Sequence, residues 1–365
     1  MPSAGKEISM FYSIEQRVEN FKKFYKREND RPLLGFFVES EYPLHRYPAS
    51  KSLPQGRPLA PDDFVVENYL ADYDSLFDRH EAAGGDFIWA ASSFWGIPWI
   101  EAAMGCKIIA DHNTGSIHAE TPADFDGEMP EFDIDNPWVQ KGIEYLDKIS
   151  SHCNGRYPLA TPRLRGISDV LACLYGNESF VFKFFESPEK IDEQAAKITD
   201  FWISFAKTQL EHIPEFHGGI GSFYYNMWAP AGTVWLQEDA AALLSPDIFQ
   251  RHILGCVKQI VASFNGSIVH MHPTGYYPYA EYLPTDMLAL ELHIDEGGPS
   301  AEELFEVHSK ILAHKPLLVW GAIPEKDLDW IFSKLPAKGL AVLNALDRKQ
   351  LESGENERLY EKYIQ

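Results

Sequence analysis

Eight short apolar runs, most of them separated by helical stretches, restrict the fold of this chain more than any other feature. They are Pro32–Val38, Asp86–Ala90, Tyr157–Thr161, Gly219–Tyr225, Ser267–His272, Met287–Asp295, Pro316–Trp320 and Gly339–Leu343. A continuous apolar run bounded by turn residues fits a strand buried on both faces, and strands alternating with helices build a parallel sheet. The pattern predicts a (β/α)8 TIM barrel, in which active-site residues sit at the C-terminal ends of the strands. A doubly wound open sheet is the main rival. No GxGxxG or GxxxxGK(S/T) follows any run, which weakens its nucleotide-binding form.

Local signals place the helices. Ser13 with Gln16 three residues later is a capping-box pattern opening a helix to Asn29, and Asp62-Asp63 opens a second that runs to about Ala83. Residues 92–155 are looser, with a hairpin turning at Asn113-Thr114-Gly115 and a helix from Asp135-Asn136-Pro137. They read as an insertion after strand two, covering one mouth of a single domain that spans residues 1–365.

The richest chemistry lies in Gly266–Asp295. Side chains two apart on a strand share a face, so His270 pairs with His272, and Glu291, His293 and Asp295 form a second set. If the two strands are neighbours, five ionisable groups converge. Arg163 and Arg165 share a face beyond the third run, and Arg46 follows the first; each is a candidate anion binder. Tyr224, Tyr225, Trp228, Tyr276, Tyr277 and Tyr279 are candidates for an aromatic pocket lining.

Charge narrows the partners. With 54 acidic against 32 basic residues the formal net charge is −22, which disfavours nucleic acid and anionic membranes. No run approaches the roughly 18 apolar residues of a membrane span. The start has no charged-then-apolar signal pattern, and Cys106, Cys153, Cys173 and Cys256 form no CxxC pair. A cytoplasmic protein with reduced thiols is expected.

Three stretches carry a family likeness: Ile97–Gly105, ending Glu-Ala-Ala-Met-Gly; Leu236–Phe249 (LQEDAAALLSPDIF); and His270–Gly275 (HMHPTG), with Leu317–Ile323 in support. In their order and spacing the chain resembles the uroporphyrinogen decarboxylase superfamily, a (β/α)8 family that includes zinc-dependent methyltransferases acting on methylated corrinoids. The decarboxylase signatures are missing. Where that resemblance expects an Arg-Gln-Ala-Gly-Arg segment the chain has Val38-Glu39-Ser40-Glu41-Tyr42, and Gly96 takes the place of the catalytic aspartate. The methyltransferase branch implies a His-x-Cys zinc motif. Here His270 matches the histidine, His272 replaces the cysteine, and Leu343–Leu346 offers no later cysteine.

The resemblance therefore implies a metal-dependent, methyltransferase-like enzyme acting on a small methylated compound or a methyl-corrinoid, with a corrinoid protein as a partner. His270, His272 and His293 are expected to hold zinc, with Glu291 as an alternative ligand. Glu291, Asp295 and Asp239 (the last from the LQEDA motif) are expected to serve catalysis. Arg46, Arg163, Arg165, Tyr224, Trp228 and Tyr276 are expected to bind substrate. A divergent decarboxylase and a non-catalytic tetrapyrrole-binding barrel are the alternatives.

Overall fold

The computed structural model describes residues 10–222 and 224–364. Its centre is a six-stranded parallel sheet built from β1 (Leu33–Phe37), β6 (Thr233–Gln237), β7 (Gly266–His270), β8 (Ala289–His293), β9 (Leu317–Gly321) and β10 (Leu340–Ala345). The order across the sheet is β1-β10-β9-β8-β7-β6. Every residue of β1, β6, β7, β8 and β9 is buried, the physical reason all of these but β6 stand out in the sequence as apolar runs.

Two antiparallel pairs accompany the sheet. One is the expected hairpin, β2 (Lys107–Asp111) with β3 (Ser116–Glu120). The other joins β4 (Gly219–Ser222) to β5 (Met227–Pro230). The run read as a strand over Gly219–Tyr225 thus stops at Ser222, and the chain turns through Tyr224 and Asn226, both with positive φ (73° and 51°).

The second and third predicted strands are extended but form no ladder. Asp86 N donates to Leu34 O (2.9 Å), Ala160 N to Ala91 O (2.8 Å) and Gly221 N to Leu159 O (2.8 Å). With Ala91 N donating to Pro158 O (3.0 Å), these isolated bonds carry the chain's extended segments from β1 through 86–91 and 157–161 to β4. Gly85 makes the first join sterically possible. At φ +95° it passes so close to β1 that a Cβ would lie 2.7 Å from Leu34 O.

β6 was not anticipated. Its five residues follow Pro230-Ala231-Gly232 and end in polar Thr233 and Gln237, so no apolar run announces it. The helix expected from Asp62 also starts later. Turns of 3-10 helix at Pro61–Asp63 and Val66–Tyr69 precede Leu70–Ala83, because the Asp63 carboxylate closes a turn on Ala60 N and pairs with Arg57. No helix among the described residues is long and apolar enough to cross a membrane.

Two buried histidines give the fold a pH dependence. His80, in Leu70–Ala83, and His308, in the helix Phe305–His314, are each about 1% exposed, and burial pushes both down to about 4. The unfolded chain protonates them near 6.5. Stability from this source is therefore complete above pH 6.5 and is lost as pH falls towards 4, where the folded state finally accepts the protons. Each shift corresponds to roughly 3–4 kcal/mol. His308 Nε2 has no hydrogen-bond partner among the described residues, so His308→Leu should leave the neutral-pH denaturant midpoint nearly unchanged and flatten its decline between pH 6.5 and 4. An unchanged slope would count against the assignment.

Candidate functional site

Parallel pairing sets the site at the C-terminal strand edge. Gln237 ends β6 directly opposite His270, which ends β7, and His293 ends β8. His270 Nδ1 bonds Glu291, whose Oε2 also accepts from Tyr225 OH (3.0 Å); Glu291 is fully buried. His272 Nδ1 bonds Asp295 Oδ1 at 2.8 Å. Each histidine thus has its Nδ1 on a carboxylate, and the two Nε2 atoms are hydrogen-bonded to each other at 2.8 Å.

The surrounding charges bear on His272 and His293 in opposite ways. Burial would depress His272, but Asp295, with Asp239 and Glu291 nearby, raises it to about 9. A protonated His272 donates from Nδ1 to Asp295 and from Nε2 to His270, leaving His270 Nδ1–H for Glu291. His293 goes the other way: burial, then the neighbouring His270 and His272, push it down to about 3. Burial alone would raise the Asp295 carboxyl; its hydrogen bond and charge interaction with His272 hold it below the usual range. His293 stands 3.9 Å from Glu291 Oε1 and 3.8 Å from Asp295 Oδ1, and its ring packs on Trp320.

Asp239 approaches the pair from the loop after β6. Gln237 Nε2 donates to its Oδ2 (2.7 Å), while its Oδ1 is buried with no hydrogen-bond partner among the described residues. The loop is clamped to the start of the helix Ile167–Tyr175 from both sides. Asp169 accepts from Ala240 N (2.8 Å) and Gln237 Nε2 (3.2 Å), and Glu238 accepts from Ile167 N (2.9 Å) and Ser168 N (2.8 Å). Burial, then the nearby Asp169, raises the Asp239 carboxyl.

A cavity of about 250 Å3 opens in front of this group, lined by Glu41, Trp95, Gly96, Arg163, Tyr224, Trp235, Asp239, His270 and His272, with Ser116 and Ile117 of β3 on one wall. A smaller one of about 90 Å3 lies beside it, sharing Asp239, His270 and His272 and adding Tyr276 and Tyr282.

The structure brings together His270, His272, His293, Glu291, Asp295 and Asp239, and places Arg163 and Tyr224 on the larger cavity and Tyr276 on the smaller. Three candidates lie elsewhere. Arg46 is buried in an ion pair with Glu39. Arg165 pairs with Glu101 (2.9 Å) and lies 3.8 Å from Asp169. Trp228 donates to Phe216 O (2.9 Å) and packs under Lys22, and neither cavity includes it. Gln237 and Trp235 were missed with their strand; the alternation Thr233, Trp235, Gln237 was the available signal. Tyr225 was expected only as an aromatic lining residue; the turn after β4 aims its hydroxyl at Glu291 instead.

Two groups of ligand atoms lie within 4.8 Å of one another: Asp239, His270 and His272, and His272, His293 and Asp295. All three members of the first line the larger cavity, whereas His293 and Asp295 do not.

No family model matches the chain, and no curated protein sequence matches it. Solved structures do. A methyltransferase from Methanosarcina mazei aligns with a TM-score of 0.62 at 14% identity, covering 96% of this chain and 99% of its own. A B12-independent methionine synthase from Shewanella sp. W3-18-1, solved in complex with selenomethionine, aligns with a TM-score of 0.50 at 11% identity over 91% of this chain and 98% of its own. At these identities the likeness is one of fold.

Proposed function

We propose that the chain is a metal-dependent, methyltransferase-like enzyme of the uroporphyrinogen decarboxylase superfamily, a barrel whose metal is held by His270 Nε2, His272 Nε2 and Asp239. The observation that carries this reading is the paired orientation of the two imidazoles: both Nδ1 atoms rest on carboxylates, which leaves the Nε2 atoms meeting each other in a group with Asp239 whose ligand atoms lie within 4.8 Å of one another. Metal-binding histidines are oriented in this way, and the unpartnered Asp239 Oδ1 supplies a third donor. Two nitrogens and one oxygen with a remaining position open to a cavity are the make-up of a catalytic zinc site. Glu291 and Asp295 then serve as orienting carboxylates rather than ligands, and His293 as a neutral neighbour.

Zinc bound there would supply Lewis acidity and a deprotonated thiol or water at the open position. The chain's own residues hold the geometry. Tyr225 fixes Glu291, Glu291 fixes the His270 tautomer, Asp295 fixes His272, and Gln237 sets the Asp239 carboxylate. Trp235 stacks on His270 (centroids 5.8 Å apart) and shields it from water. The fold likeness to a methyltransferase and a methionine synthase supports methyl transfer as the reaction. A cavity of about 250 Å3 falls below the roughly 300–1,000 Å3 that drug-sized ligands occupy, which favours a small methylated compound over an enclosed tetrapyrrole. A corrinoid, as methyl donor or acceptor, would be presented at the mouth by a partner protein. Gly96 on the cavity wall offers no carboxylate where the decarboxylases have theirs.

The test is metal titration of chelator-stripped protein with cobalt(II) and zinc, followed by assay of methyl transfer from methylcobalamin to a thiol. One tightly bound equivalent with a four-coordinate cobalt spectrum is expected; failure to bind either metal after reconstitution sinks the proposal. Glu291→Gln should keep the fold and lower metal affinity about 10- to 100-fold, the usual cost of losing an orienting carboxylate.

A further inference from the structure

Three arginines of this acidic chain that are buried or half-buried are neutralised by protein carboxylates. Arg17 pairs with Glu81 (2.6 Å), Arg46 with Glu39, and Arg165 with Glu101 (2.9 Å). Arg163 differs from these, and unlike Arg27, whose guanidinium donates to Leu312 O, it faces a cavity. It is half-buried on the wall of the larger cavity, and among the described residues no carboxylate lies within 4 Å of its guanidinium. Its hydrogen bond runs from Nε to Gln237 Oε1 (3.4 Å), which leaves the outer edge of the fork uncommitted. A partly desolvated cation facing a cavity is unfavourable until something supplies the opposite charge, and a chain carrying −22 has many carboxylates that could have done so.

Gln237 ties this cation to the metal-site residues. Its amide oxygen accepts from Arg163 and its amide nitrogen donates to Asp239 Oδ2 (2.7 Å), so guanidinium and candidate ligand are two hydrogen bonds apart. An anion on Arg163 therefore sits within a few atoms of the His270–His272 pair. The rest of the wall carries the aromatic side chains of Trp95, Tyr224 and Trp235, and one further carboxylate, Glu41, whose carboxyl burial raises. A guanidinium fork recognises a carboxylate through two parallel N–H···O bonds.

We propose that the larger cavity binds a small organic monocarboxylate, its carboxylate on Arg163 and its body along Trp95, Tyr224 and Trp235. The inference rests on the methyl-transfer reading only for which end of the molecule reacts. With Arg46 and Arg165 bound to protein carboxylates, Arg163 provides for a single carboxylate, which separates this substrate from a polycarboxylated porphyrinogen.

Benzoate and its neutral isostere benzamide are suitable probes, titrated calorimetrically into the full chain and followed by tryptophan fluorescence. Benzoate is expected to bind and benzamide to bind about 10- to 100-fold more weakly, the range of a charge-assisted hydrogen-bonded pair. Arg163→Gln should abolish that preference while leaving benzamide affinity unchanged, and Arg163→Lys should retain part of it. The proposal is overturned if benzoate fails to bind or if wild-type protein takes both probes equally. It is overturned too if Arg163→Gln weakens both alike, since that would make Arg163 a positioning residue for Gln237. A protein that binds no metal yet still prefers benzoate through Arg163 would refute the methyl-transfer reading and leave this one standing.

Discussion

Substituting His270 by alanine is expected to lower metal affinity on the order of 10²–10³-fold and to remove methyl-transfer activity. The magnitude follows from dividing the roughly 10–16 kcal/mol of a structural four-ligand zinc site among its ligands. Asp239→Ala should behave similarly, because Asp239 Oδ1 is the donor with no other partner. His293→Ala provides the contrast. It belongs to the alternative group with His272 and Asp295 but lines neither cavity, so it should retain the metal stoichiometry. Elemental analysis of the three variants after identical reconstitution separates the two ligand sets. If His293→Ala loses the metal while Asp239→Ala keeps it, the ligand assignment must move to the second group.

The second large effect concerns the ion pair between Glu39, just past β1, and Arg46 in the turn Pro43–Arg46. The Glu39 carboxylate is fully buried, the Arg46 side chain is 4% exposed, and the guanidinium lies over the Trp95 ring, 4.7 Å from its centroid. Burial raises the Glu39 carboxyl, while Arg46 and the Trp89 indole N–H oppose the shift. Glu39→Ala strands a buried cation and should cost about 3–5 kcal/mol in unfolding free energy. Replacing both partners, Glu39→Leu with Arg46→Leu, should recover much of that loss, because apolar pairs of similar volume avoid the desolvation cost. Equilibrium denaturation of the two single variants and the double variant measures the coupling. Additive single effects would show that the pair contributes nothing of its own. The same experiment bears on substrate: a role for Arg46 in binding would change ligand affinity beyond the change in stability.

What could be read in advance follows from the range of the interactions. β1, β7, β8, β9 and β10 were legible because burial on both faces writes itself into consecutive residues, as in Leu33–Phe37 and Leu317–Gly321. The same logic marked 86–90 and 157–161, but whether an extended segment gains a full ladder depends on its neighbours, and these two gain isolated bonds. β6 escaped because its ends are polar and its start follows a proline and a glycine. In the site, period-two spacing put His270 with His272 and Glu291 with His293, and the structure does gather them. Which imidazole nitrogen meets which carboxylate is a rotamer and register property that no spacing encodes. The arginines show the same limit: Arg163 and Arg165 are two residues apart, yet one faces a cavity and the other meets Glu101, 64 positions earlier.

The reciprocal clamp between the Gln237–Ala240 loop and the start of Ile167–Tyr175 has a consequence for cooperativity. Each partner supplies the hydrogen bonds that the other needs: Asp169 closes the loop, and Glu238 caps the helix. Neither is complete alone, so the two should order together, and damage to one should spread to the other. Most of the loss from Asp169→Ala should therefore be inherited by Glu238→Ala rather than added to it. Asp239 sits inside that joint, and its carboxylate is aimed by Gln237, which Asp169 in turn holds. Side chains facing the cavity can vary and change what is bound, while the joint keeps the same oxygen pointed at the same place.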